Sequence, residues 1–164
     1  MIASGHNAIG TTIGLVVASQ TSDPVSAFLV AVLGGLVFHY AADFVPHGHI
    51  ISNKEFGTLP AVLFLDLFGS FLVIYSLILL KFGFSQTSFI VLVAIGASQL
   101  PDVIEGMLYF KKIPKIGLIK WENSMHQYIF HWHGQHEKAL MWDAKRDIWQ
   151  IAVIVFALFF LILV

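Results

Sequence analysis

The chain has no cysteine and little charge: of 164 residues, 9 are Lys or Arg and 10 are Asp or Glu, 12% in all. Without Cys, disulfides and thiolate metal ligands are excluded, and the redox compartment cannot be read from the sequence. A soluble domain of this size carries about twice that charge fraction. A net charge near -1 offers nothing to attract nucleic acid. Lys and Arg are missing from the apolar stretches 2–19, 25–45, 58–80, 87–110 and 148–164. None precedes the first stretch either, so it does not read as a cleaved signal peptide.

What fills the chain instead is apolar: 57% of residues are hydrophobic. A helix needs about 20 mostly apolar residues to cross a bilayer. The composition therefore predicts a single integral membrane domain over residues 1–164, an all-α polytopic bundle of about five transmembrane helices. The first span is rich in small residues (Gly5, Gly10, Gly14), which suits close packing between other helices. The polar loop 111–147 opens with a basic stretch. Its later part, 121–146, mixes aromatic residues with histidine and reads as an amphipathic helix at the interface, with Gly134 a break. Loops 46–57 and 111–147 hold eight of the nine Lys and Arg residues, and Lys81 alone lies on the opposite side. The positive-inside rule then places both loops and the N-terminus in the cytoplasm.

Under that topology all eight histidines fall on one side of the membrane. His39 and Asp43 are four apart and share a helix face. Pro46 ends that helix, and His47 and His49 follow in the loop. At 1.5 Å per residue, Asp66 and Asp102 lie about 12 Å deep and His39 about 9 Å deep, with His6 opening span one. A buried Asp costs roughly 2.5–3.5 kcal/mol on insertion scales, and no cationic side chain inside a span offsets it. A bound divalent cation is the economical compensation. Mixed imidazole and carboxylate ligands suit zinc first, then manganese or non-haem iron, as one or two ions. Plainer readings exist for each residue. Asp66 can be a protonated core residue, Asp102 can relieve the backbone at a Pro101 kink, and His39 with Asp43 can be a metal-free pair. His47, His49 and Glu105 suit solvent. His126, His131, His133 and His136 lie in an interfacial stretch where histidine is ordinary.

Three short motifs resemble a known family. Gly5-His6 entering a small-residue helix, His39-x3-Asp43-x2-Pro46-His47, and Leu100-Pro101-Asp102 are similar to elements of the predicted membrane-bound metal-dependent hydrolases of bacteria and archaea. The resemblance covers roughly residues 5–106. It implies that His6, His39, Asp43 and Asp102 are metal-site residues, and it implies a prokaryotic cell membrane. The chain departs from the family pattern in having Ile104 where a second Asp often stands, in lacking the His-Arg-Gly element, and in the order of its motifs.

The function expected from these residues is hydrolysis by a cytoplasm-facing metal site, with His6, His39, Asp43, His47 and Asp102 as ligands. Asp66, or Asp102 if it is not a ligand, is the expected general base, and His131 or His133 the general acid or substrate contact. A site at interfacial depth suits a lipid or lipid-linked phosphoester, and the basic stretch 111–120 suits an anionic head group. The alternatives are a non-enzymatic metal-binding or transport protein and a membrane subunit that docks a partner.

Overall fold

A computed structural model describes residues 3–44, 65–109, 114, 116–132 and 144–163. It is all-helical. Helix α1 spans Ala3–Gln20 and α2 spans Pro24–Asp43. A π-helical turn at Leu65–Gly69 leads into α3, Ser70–Phe82. Helix α4 is Gln86–Tyr109, α5 is Gly117–Trp132 and α6 is Ala144–Leu163.

The sequence signals at the helix ends act as expected. Asp23 caps α2 by accepting from the Ser26 N–H at 2.8 Å, with Pro24 in the first turn where its missing N–H costs nothing. Three boundaries differ from the reading of the sequence. Helix α4 runs unbroken through Pro101, where the sequence reading has span four interrupted at 98–102. Proline removes one ladder bond, and the helix, packed against α1 and α2, continues past it. Helix α5 begins at Gly117, ahead of the expected 121, and α6 begins at Ala144, taking in Lys145, Arg146 and Asp147 before its apolar run. Among the described residues, two helices, α2 and α4, are long and apolar enough to cross a membrane; the apolar part of α6, Ile151–Leu163, is shorter.

Hydrogen bonds between helix ends set the directions. Asp66 accepts from the N–H groups of Ala3 and Ser4, so α1 and the π turn start side by side. Lys81 Nζ donates to the Leu161 and Ile162 carbonyls, so α3 and α6 finish side by side. Helices α1, α3 and α6 therefore run one way, and α2 and α4 run the other. Helix α4 lies at the centre, and its neighbours approach it closely through glycine. A Cβ at Gly14 would stand 2.5 Å from Val91 Cα, one at Gly10 2.6 Å from Ile95 Cα, and one at Gly35 2.7 Å from the Ala94 carbonyl oxygen. The interior is divided along its length. Leu15, Ile74, Ile78, Val91, Ile95 and Leu161 pack together towards one end, beside Val17, Ala27, Ala31, Ile90 and Ala94. His6, Asn7, His39, Asp43, Ser98 and Gln99 are buried towards the other.

Candidate metal centre

The polar end is built by three helices. Helix α1 contributes His6 from its first turns, and α2 contributes His39 and Asp43 from its last. Helix α4 contributes Asp102, one turn past Ser98. The spacing of four on α2 puts His39 Nε2 3.2 Å from Asp43 Oδ2. The glycine contacts draw α1 and α2 onto α4, and the remaining distances follow. His6 Nε2 lies 3.3 Å from Asp43 Oδ1 and 3.5 Å from Asp102 Oδ2, and His39 Nε2 lies 3.9 Å from Asp102 Oδ1. The two imidazoles stack with centroids 4.1 Å apart. One donor atom from each of the four residues lies within 4.8 Å of every other.

The tautomer of His39 follows from its other nitrogen. Nδ1 lies 2.7 Å from the Ser98 carbonyl oxygen, which can only accept, so Nδ1 carries the proton. A neutral His39 then turns the lone pair of Nε2 towards the carboxylate oxygens of Asp43 and Asp102. Electron-rich atoms facing each other in a buried space are costly unless a positive charge or a shared proton lies among them. Two imidazolium rings would supply it, with charge-assisted hydrogen bonds of about 2.7–2.9 Å. The separations are longer, 3.2–3.9 Å. His6 Nε2 makes no hydrogen bond within the described residues. Donors held tetrahedrally at about 2.0–2.2 Å from one ion stand roughly 3.3–3.6 Å apart. The residues fit a cation, and this group can hold a metal ion.

Access is from one side. The side chains of His6, His39 and Asp43 are 0–1% exposed, whereas that of Asp102 is 30% exposed. The accessible member is therefore Asp102.

A second layer supports the first. Ser98 Oγ lies 2.8 Å from the carbonyl oxygens of both His6 and Ile95, tying the His6 turn to α4. Behind it, Gln99 Nε2 donates to Asn7 Oδ1 at 2.8 Å and to the Ala3 carbonyl at 2.6 Å. Asn7 Nδ2 donates in turn to Ser70 Oγ and the Leu67 carbonyl. Ser98 and Gln99 read in the sequence as an interruption of span four, and nothing in the sequence singles out Asn7. Their common signal is a polar side chain inside a nominal membrane span.

Not every residue singled out in the sequence joins this group. Asp66 stands apart: its two carboxylate oxygens accept from the first N–H groups of α1, 2.8 Å from Ala3 N and 3.2 Å from Ser4 N. That is a helix-start role, matching a negative charge to the positive end of the helix dipole. His47 and His133 lie outside the described residues, as do His49, His136 and Gly134, and His131 is described only as backbone of α5. Comparison with family models, curated proteins and solved structures returns no match.

Proposed function

We propose that the chain is a membrane-embedded, metal-dependent hydrolase of the kind its motifs resemble, with His6, His39, Asp43 and Asp102 holding one or two divalent ions, zinc first. The observation that carries this reading is the His39 ring. Its Nδ1–H is committed to a backbone carbonyl, and its Nε2 faces two carboxylates at ion-bridging distances. Metal-binding histidines characteristically donate their second nitrogen in this way.

Membrane insertion is supported by the surface. On α2, Val25, Leu29, Leu33 and Val37 recur every fourth residue and are exposed, and α6 exposes Ile151, Val155, Phe159 and Ile162. Apolar residues outside and polar residues within suit lipid, which shields the first and pushes the second together. Helix α5 adds an apolar stripe of Leu118, Trp121 and Tyr128 facing outward, the arrangement of an interfacial helix. The full topology we propose is five spans, with the polar end and the N-terminus in the cytoplasm by the distribution of Lys and Arg.

A bound divalent ion supplies Lewis acidity for hydrolytic attack on an ester or phosphoester. His6, His39 and Asp43, buried and fixed in place, would hold it. Asp102, the member reached from outside, completes the set or takes a proton from the attacking water. Asp66 is committed to the start of α1, so the base falls to Asp102. His131 and His133 remain our candidates for general acid or substrate contact. The apolar outer surface of the helices favours a lipid or lipid-linked (phospho)ester as substrate.

The test is elemental mass spectrometry of detergent-purified protein, followed by hydrolysis assays on lipid ester and phosphoester panels. One or two equivalents of Zn, Mn or Fe with turnover on a lipid-linked ester supports the reading. Stoichiometric metal with no hydrolysis of any panel overturns the enzyme. No metal after chelator-free purification and attempted reloading overturns the site.

A further inference from the structure

Beyond the four residues of the metal centre, a fifth polar contact reaches it from α5. Tyr40 follows His39 on α2, and its ring meets the His39 ring edge-on, with centroids 5.2 Å apart at 89°. The Tyr40 hydroxyl donates to Glu122 Oε1 on α5 at 3.2 Å, across 82 residues of sequence. Glu122 is only 8% exposed and Asn123 9%, so α5 turns polar residues inward while Leu118 and Trp121 face out. Burying a carboxylate is costly. An interfacial helix that only anchored itself would have turned an apolar side chain to the bundle. Here it turns a carboxylate, and that carboxylate meets the tyrosine packed on a candidate ligand.

We propose that Glu122 and Tyr40 are positioning residues for the metal centre: Glu122 holds the Tyr40 ring against His39, and docking of α5 thereby sets the affinity of the site for its cation. This rests on the metal reading of the His/Asp cluster. His39 is then fixed at three places. The Ser98 carbonyl takes its Nδ1–H, the His6 ring stacks on one face, and Tyr40 closes the edge. Loss of the hydrogen bond leaves the ring free to turn and the ligand atom less well aimed. Outer partners of metal-binding histidines influence affinity in this way, by about 10–100-fold.

The experiment titrates cobalt(II) into the full chain in lipid nanodiscs, following the ligand-field absorption, for the wild type, Tyr40→Phe, Glu122→Gln and the double variant, with Asp43→Ala as the non-binding control. Both single substitutions are nearly isosteric, so either carries the test if the other fails to fold. The expected result is cobalt binding weakened about 10–100-fold in each single variant. The absorption band shifts, and the double variant is no weaker in cobalt binding than the weaker single. Wild-type affinity and an unaltered spectrum in the folded single variants overturn the positioning role and leave the metal centre standing. Absence of cobalt binding by the wild type overturns the metal centre and this role with it.

Discussion

At one end of the bundle His6, His39 and Asp43 are buried and face one another; at the other, Asp23 and Lys81 each serve a helix terminus in the open. Lys81 satisfies the last carbonyls of α6, where a cation also suits the helix dipole. Asp23 caps α2, and Ser88 O–H turns back to the Gly83 carbonyl at the start of α4. Asp23, Lys81 and Ser88 each meet a backbone partner there, and the buried core beside them is aliphatic. At the His/Asp end the polar side chains find partners on other helices, and the carboxylates of Asp43 and Asp102 face the two histidines. The same residue types thus serve folding at one end and are concentrated at the other into a group that a cation would complete.

The comparison breaks most sharply at Asp43. Asp43→Ala removes the carboxylate that faces both histidines, and bound metal should fall from one or two equivalents to none by elemental mass spectrometry. Chelation of the wild type should lower its melting temperature, and Asp43→Ala should no longer respond. A ligand at 100 times its Kd contributes about 2.7 kcal/mol. Lys81→Met, at the opposite end, should leave metal content untouched.

Next in size is Gly14→Val, which forces a Cβ to within 2.5 Å of Val91 Cα. Backbone cannot yield as a side-chain tip does, and overpacking of this kind costs about 1–3 kcal/mol. Denaturant unfolding in detergent measures it, and metal affinity should weaken as well because α1 carries His6. A wild-type unfolding curve would show that α1 and α4 are not held this closely.

Ser98→Ala separates the two roles of that residue. The hydroxyl's bond to the His6 carbonyl is lost, at about 1 kcal/mol, while the backbone carbonyl that holds His39 remains. Stability should fall with metal stoichiometry intact. Lys81→Met should cost less, roughly 0.3–1 kcal/mol from the C-terminal charge on α6.

The smallest effect is at Asp23. Hydrogen bonds from Ser26 hold its carboxyl below the ordinary value of 3.8. A group with a depressed folded pKa stabilises fully above its unfolded value, and the contribution fades as pH falls through the folded one. The window is therefore below about pH 3.8. Asp23→Asn keeps a capping side chain without a titrating group. Melting curves recorded across that window should show a steeper acid loss in the wild type than in the variant. Parallel curves would remove Asp23 from the acid response.

By itself the sequence determined the helical class, the small residues of α1, and the pairing of His39 with Asp43, because periodicity and helix geometry act over four residues. It also indicated how deep each ionisable group lies, since depth follows from counting residues along a helix. Tertiary structure decided which way round the bundle each group points. Asp66 and Asp102 have the same counted depth, yet one binds the start of α1 and the other faces His6 and His39. The Ser98 carbonyl that sets the His39 tautomer is a backbone atom with no signature in residue type. The Tyr40–Glu122 bond joins groups 82 residues apart. Such contacts depend on the rotation of each helix about its own axis, and that rotation is set only when glycine faces meet and α4 takes its place between α1 and α2.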